Sequence, residues 1–228
     1  MKQLLSPAII LVTLVTGAAC NRFAALTRGA EETGQQSRTV NGQELVSSQQ
    51  PAVRLKFDKA FKYAGGQSFV LYEVANAEQH FFVDADKEGR IKRLYWIQFE
   101  GYLPGNTHTY VYKSPKKVDI AGLSFFADAF ARNVKLNPGR ADSDGSRARS
   151  FLQAKGFRMA GDEILMQRLV HLTDDTKRNE LMIIYMEDLS GMGLTAADLG
   201  KDGKAAKQWD EISKGLLDRA IKGIKLSH

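Results

Sequence analysis

The most regular hydrophobic pattern of the chain lies in residues 53–113, where short runs of β-branched and aromatic residues are separated by turn-forming residues. Such runs, bounded by Gly, Pro, Asn and Asp, are typical of an antiparallel meander, because those residues reverse the chain where a strand former resists. The pattern predicts five strands, at residues 53–63, 68–74, 80–84, 91–99 and 107–113.

Aromatic residues are concentrated in the same region, which holds 13 of the 21 in the chain. This density indicates either a thick aromatic core beneath covering helices or the wall of an apolar cavity. We favour the core, because packed sheets are commoner than binding clefts.

The second half of the chain shows helical spacing at both ends and strand-like runs between them. Leu123, Phe126 and Phe130 predict a helix over residues 121–133. A second helix is predicted from an N-cap at Asp144 or Ser146 to Lys155, with Gly156 ending it. Strands are predicted at residues 163–173 and 180–189. A C-terminal amphipathic helix is predicted, because an apolar stripe lies opposite basic residues. The apolar stripe consists of Trp209, Ile212, Leu216, Leu217, Ile221 and Ile224.

Together these elements predict an α+β fold. The antiparallel sheet should have about seven strands, from a five-strand meander and the later hairpin, and helices should cover one face. Residues 51–228 form the predicted single domain. Residues 21–50 are polar and lack periodicity, so they are predicted to form a flexible linker.

Residues 1–20 have the order of an export signal. Lys2 precedes an apolar run over residues 4–15, and small residues lead to Cys20, the only cysteine. A membrane-spanning helix is disfavoured, because the apolar run is shorter than the ~20 residues that a span needs.

This stretch resembles bacterial lipoprotein signal sequences, in which a cysteine after small residues becomes the lipidated first residue of the mature protein. Gly17 departs from the usual aliphatic residue at its position. The resemblance implies lipidation at Cys20, removal of residues 1–19 and a membrane-anchored location in the cell envelope. Ordinary signal cleavage, which would give a soluble periplasmic or secreted protein, is the alternative.

Composition fits a folded domain, with 25% charged and 43% hydrophobic residues. The net charge of +6 and the pI near 9.3 favour anionic partners such as phospholipid headgroups. No aromatic residues of the kind that stack on bases interleave the basic C-terminal residues, so no nucleic-acid partner is predicted. With Cys20 at the terminus, the domain has no disulfide and depends on packing.

Two short motifs imitate ligand sites and are interpreted as loops. The stretch 191–196 fits a dinucleotide-binding glycine pattern, but Gly200 would interrupt the helix early and no strand follows. The stretch 84–91 imitates the first half of a calcium loop. Tyr95 stands where the closing glutamate would be, so a hairpin turn is the better interpretation.

No catalytic or metal site is predicted. His80, His108, His171 and His228 show no metal-ligand spacing, and the chain has neither a nucleophile elbow nor a phosphate-binding loop. No cofactor is expected. Glu73, Glu100 and Glu187 lie in or beside predicted strands and are interpreted as a solvated face, unless they share a cavity that raises their pKa.

The leading hypothesis is therefore a non-enzymatic envelope protein that binds a partner protein or an apolar ligand. A hydrolase is the second hypothesis, and it requires His80, His108 or His171 beside an acid in an open pocket. The third is a structural component of an envelope assembly.

Overall fold

A computed structural model describes residues 37–114 and 116–228, and antiparallel β-sheet dominates them. The strands are β1 (Thr39–Asn41), β2 (Glu44–Ser47), β3 (Val53–Phe57), β4 (Lys62–Leu71), β5 (Ala75–Ala85), β6 (Arg90–Tyr102), β7 (Lys117–Ile120), β8 (Leu123–Asn133), β9 (Arg158–Met159), β10 (Glu163–Leu172), β11 (Asn179–Asp188) and β12 (Ile224–Ser227). The helices are α1 (Asp144–Ala154), α2 (Ala196–Leu199) and α3 (Trp209–Lys222), with single 3₁₀ turns at Ser190–Met192 and Ala206–Gln208.

The strands form two sheets, and the prediction of a single sheet of about seven strands is wrong in this respect. The small sheet has the order β1-β2-β3-β12. The large sheet has eight strands, in the order β4-β5-β6-β11-β10-β8-β7, with the two-residue β9 pairing in parallel with β6. The coarser prediction of an α+β fold built on antiparallel sheet is confirmed, and sheet dominates it.

Both faces of the large sheet are covered, so the prediction of helices on one face is also wrong. One face, which we call the α3 face, carries Phe82, Tyr95 and Tyr185 side by side. It packs against α3 and the small sheet in the main hydrophobic core. The opposite α1 face carries Phe81 and Trp96 and packs against α1 in a second cluster.

This two-sided burial explains the aromatic density of the central strands. In β6 every residue from Leu94 to Phe99 is buried, and seven consecutive residues of β11 are buried as well. A strand buried on both faces has a continuous apolar sequence rather than an alternating one. The aromatic residues therefore form two core layers, with ring contacts as close as 3.8 Å between the centroids of Phe57 and Phe82.

The predicted helix over residues 121–133 is wrong, because Leu123–Asn133 is strand β8. Its residues pair with β10 from Asn133↔Glu163 to Phe126↔Val170. Phe and Ala occupy so many of its positions that a period of two fits as well as the helical period. The turn before β8 shows that these residues form a strand of a hairpin. Ala121 and Gly122 both have positive φ, as a two-residue turn between β7 and β8 requires.

Two predicted strands of the meander also need correction. Residues 53–63 divide into β3 of the small sheet and the start of β4 in the large sheet, because a turn at Asp58 separates them. Residues 107–113 form no strand. Their backbone instead crosses the end of the large sheet, where the Tyr110 amide donates to the Lys177 carbonyl at 2.8 Å.

The predicted strands at residues 68–74 and 80–84 correspond to β4 and β5, which begin six and five residues earlier, and residues 72–74 form the turn between them. The remaining predicted elements are confirmed within three residues at each end. Helix α1 is capped by Ser143, whose hydroxyl accepts from the Ser146 amide, and Gly156 follows its end with a φ of +82°. Strands β10 and β11 form the predicted hairpin. Helix α3 matches the apolar stripe except at its last member, because Ile224 belongs to β12.

The predicted linker is partly folded, and the predicted signal is not among the described residues. Residues 39–47, within the predicted linker, form β1 and β2 of the small sheet, so folded structure begins earlier in the sequence than predicted. Cys20 and the predicted signal lie outside the described residues. Within residues 37–114 and 116–228, no helix is long and apolar enough to cross a membrane.

Candidate ligand-binding cavity

A cavity of about 970 Å³ lies between helix α1, the loop after β8 and the α1 face of the large sheet. The volume falls at the upper end of the range of roughly 300–1,000 Å³ that is usual for small-molecule sites. Its apolar floor is formed by side chains of three central strands: Leu94, Trp96, Ile164, Met166, Met182, Ile184 and Met186.

Three methionines make this floor adaptable. Met166 and Met186 are directly opposite each other on β10 and β11, and Met182 lies four residues from Met186 on the same face. An unbranched thioether side chain fills irregular spaces and adjusts to ligands of different shape. The floor can therefore accommodate an apolar group without fixing a single shape for it.

Helix α1 forms the opposite wall through Gly145, Ala148 and Leu152. Gly145 keeps this wall open, because a β-carbon there would meet only the Trp96 side chain, at 4.0 Å. A larger residue at this position would project into the cavity rather than into backbone.

Arg168 of β10 is a charged residue on the sheet side of the cavity. One of its terminal nitrogens donates to Asp128 Oδ2 at 2.8 Å, and its guanidinium lies 5.4 Å from the centre of the Tyr112 ring and 5.5 Å from that of Phe130. Its Nε is buried and finds no hydrogen-bond acceptor among the described residues.

The rim of the cavity is basic. It carries Arg132 at the end of β8, Lys135 in the following loop and Arg149 on α1. Arg132 donates to the carbonyl of Asn137, and Arg149 donates to the carbonyl of Pro138 at 3.2 Å. The two guanidinium groups thus reach consecutive carbonyls of one loop from opposite walls.

A ladder of buried polar side chains lies on the same face of the sheet, outside the cavity lining. Gln79 donates to Gln98 at 2.7 Å, and Gln98 donates to Glu100 at 2.6 Å. Tyr110 and Tyr112, in the segment that crosses the sheet, donate to Glu100 and Glu180 at 2.8 and 2.6 Å. These bonds fix that irregular segment to the sheet.

Burial controls the protonation of the two glutamates. Loss of solvent raises the pKa of Glu180 to about 8, and the nearby Glu100 adds to this effect, although the hydrogen bond from Tyr112 opposes it. Burial also raises the pKa of Glu100, against the hydrogen bonds from Tyr110 and Gln98. Glu180 therefore carries a proton through most of the neutral range. The interpretation of Glu100 as part of a solvated face is wrong.

His80 belongs to a closed buried network on the α3 face. Its Nε2 donates to Glu78 Oε1 at 2.9 Å, because an ionised carboxylate can only accept, and its Nδ1 lies 3.0 Å from the Tyr63 hydroxyl. Burial works to raise the pKa of Glu78, but the hydrogen bonds from His80, Arg38 and Ser37 outweigh it and lower that pKa to about 2. His80 is 0% exposed, so substrate has no access to it.

The other histidines lie away from this network. His108 is in the irregular segment beside the Tyr102 ring. His171 is on β10, three strands from His80 in the large sheet, and its Nδ1 is 3.0 Å from the Ser124 carbonyl. The three histidines therefore do not share one open pocket.

The two motifs interpreted as loops have the expected local structure. In the stretch 191–196, Thr195 caps the four-residue α2 in a reciprocal arrangement with Asp198. In the stretch 84–91, Asp86 accepts from the amides of Glu88 and Arg90 in the hairpin between β5 and β6. The described residues contain no group of His, Cys, Asp or Glu side chains arranged to hold a metal ion.

Sequence reasoning did not find the cavity residues. Met182 and Met186 are four residues apart in one predicted strand, which places them on the same face. Met166 lies in the other strand of the predicted hairpin, and its register with them could not be predicted. Arg132 and Arg149 gave no such signal, because β8 was predicted to be a helix and the loop that joins them has no pattern.

No protein-family model, curated protein or solved structure matches this chain.

Proposed function

We propose that the protein is a non-enzymatic binder of an apolar or amphiphilic small molecule, held in the cavity beneath α1. The observation that carries this proposal is the methionine-lined cavity of about 970 Å³ between α1 and the large sheet. A ligand in this cavity would cover apolar side chains that otherwise face solvent, and removing apolar area from water is favourable.

The cavity also fits binding better than catalysis. Its floor consists of methionine, tryptophan and aliphatic side chains, and the histidine with a carboxylate partner, His80, lies on the other face of the sheet. A binding site of this kind needs apolar area and a few polar groups that fix orientation.

The N-terminal pattern around Cys20 supports a location at the membrane surface. A lipid anchor at Cys20 would hold the domain near a source of apolar molecules. The lipidated chain would lose Lys2 with residues 1–19 and keep a net charge of +5, which favours an anionic surface. Mass spectrometry of the mature N-terminus tests this part: a diacylglyceryl-modified Cys20 supports it, and a free thiol or a cut after residue 20 contradicts it.

The cavity itself is tested with a long-chain alcohol as a neutral apolar probe. We expect hexadecanol to bind and to raise the melting temperature, since a ligand of the folded state stabilises it by mass action. Gly145→Leu should fill the cavity and weaken binding by about tenfold or more, because added methylenes compete with the ligand for the same space.

The matched control is Gly145→Ala, which adds one carbon at a distance of 4.0 Å from Trp96 and leaves the cavity open. It should bind hexadecanol as the unaltered protein does. Equal binding by the Leu and Ala variants would place the probe elsewhere, and absence of binding of both this alcohol and anionic amphiphiles of the same chain length to the unaltered protein would refute the proposal.

A further inference from the structure

The rim of the cavity has two guanidinium groups brought together without a carboxylate. Arg132 and Arg149 come from β8 and α1, and their terminal nitrogens donate to the carbonyls of Asn137 and Pro138, which are neighbours in the chain. Each guanidinium has five N–H donors, so each keeps most of them for another acceptor.

Neither charge is neutralised by an ion pair within the described part of the chain. Other arginines nearby differ in this respect: Arg140 pairs with Asp142 at 2.7 Å and Arg168 pairs with Asp128 at 2.8 Å. The lining of the cavity has five basic residues and two acidic ones, which are Arg132, Lys135, Arg149, Arg158 and Arg168 against Asp144 and Asp162.

Two unpaired guanidinium groups at the entrance of an apolar space favour one kind of molecule. Both are half-buried, where water screens a charge less than at the surface. Guanidinium groups bind carboxylates and phosphates through paired, charge-assisted hydrogen bonds. An apolar chain would bury its area against the methionine floor, while its anionic end stays at the rim.

From this arrangement we infer that the ligand is a single-chain amphiphile with an anionic headgroup, bound at Arg132 and Arg149 with its chain in the cavity. The inference rests on the proposed function, because it specifies the ligand class of the same cavity. Carboxylate and phosphate headgroups share the required chemistry, so the experiment includes both.

The test compares three probes of equal chain length: hexadecanol, hexadecanoate and hexadecyl phosphate. The unaltered protein should bind both anions at least about tenfold more tightly than the alcohol, since a hydrogen bond to a charged group is worth about one factor of ten or more. This preference should decrease as salt increases. A larger preference for one anion identifies the headgroup.

The double variant Arg132→Gln/Arg149→Gln should lose the preference and bind the anions about as weakly as the alcohol. Arg140→Gln is the control: it removes one positive charge from the loop between β8 and α1, from an arginine that is paired with Asp142 and is not among the residues that line the cavity. It should keep the full preference. Thermal unfolding of each variant shows whether it is folded.

The outcomes separate the two proposals. Equal affinity of the unaltered protein for alcohol and anions, or an undiminished preference in the double variant, would overturn the headgroup assignment and leave apolar binding intact. Failure of all three probes to bind would overturn both. The comparison in the unaltered protein remains decisive even if the double variant does not fold.

Discussion

At the scale of single residues, the buried glutamates show how far packing can change the chemistry of a side chain. Glu180 is 2% exposed, and its neighbours are Tyr112, Glu100 and Arg168 rather than a close counter-ion. The sequence shows only a glutamate at the start of a strand. Its buried, protonated state depends on the irregular segment that crosses the sheet, which has no periodicity to predict it.

This environment makes stability depend on pH. The pKa of Glu180 is about 8 in the folded protein and near 4.3 in an unfolded chain. Between these values the folded state holds a proton that the unfolded state has released, so stability is fully present below about pH 4 and is lost as pH rises through 8. The loss should be about 5 kcal/mol, at about 1.4 kcal/mol per pKa unit.

Glu180→Gln should remove this dependence, because the amide stays neutral and its oxygen can still accept from Tyr112. Urea unfolding at pH 5 and pH 8.5 measures the effect: the variant should be more stable than the unaltered protein at pH 8.5 and should change less between the two. Glu88→Gln, at an exposed position in the hairpin after β5, controls for the loss of one carboxyl group. Parallel pH profiles for all three proteins would contradict the assignment.

At the scale of elements, the helix–strand ambiguity of residues 121–133 shows why the sequence predicted some elements and not others. Hairpin β10–β11 was predictable because its two apolar runs are long and a polar turn separates them. Strand β8 was not, because its phenylalanines and alanines fit both periods. The structure resolves the ambiguity at Ala121 and Gly122, because two successive positive φ values define a tight hairpin turn before β8.

The end of helix α3 is fixed by a close approach that only glycine permits. A β-carbon on Gly223 would collide with the Tyr95 hydroxyl, and Tyr95 is 0% exposed and donates to the Ala220 carbonyl at 2.7 Å. Gly223→Ala should therefore destabilise the protein by about 1–3 kcal/mol, the usual cost of overpacking a core. Denaturant unfolding measures this cost.

Gly215→Ala, about two turns earlier in α3, serves as the comparison. Its added carbon meets only the flexible end of Arg219, at 3.2 Å, so the higher helix propensity of alanine should stabilise the protein by about 0.5–1 kcal/mol. If both substitutions had the same sign, the contact with Tyr95 would not be what fixes the end of the helix.

At the scale of the whole molecule, the cavity follows from how the two faces of the large sheet are covered. The α3 face is closed by α3 and the small sheet together, whereas the α1 face has one eleven-residue helix over strands that extend well beyond it. Helix α1 and the loop after β8 stand over the methionine floor without filling the space above it. The cavity therefore lies between the sheet and an incomplete cover, whereas α3 and the small sheet pack closely on the other face.

The sequence predicted the antiparallel sheet, α1 and α3, because these depend on local periodicity and caps. It did not predict the second sheet, the two-sided cover or the cavity, because each depends on contacts between distant segments. The pairing of β3 with β12 joins residues near the two ends of the described chain. Arg132 and Arg149 come together because both donate to carbonyls of one loop, and that loop has no hydrophobic pattern from which to predict it.

The most direct test of ligand binding beneath α1 uses Trp96, whose indole lines the cavity, as a fluorescent reporter. Trp209→Phe removes the other tryptophan, which packs with α3 on the opposite side of the sheet. Hexadecanoate brominated in the middle of its chain should then quench the Trp96 emission in a saturable titration, and Gly145→Leu in the same background should shift this titration to at least about tenfold higher concentrations. Unquenched Trp96 emission at concentrations that saturate binding would contradict the account.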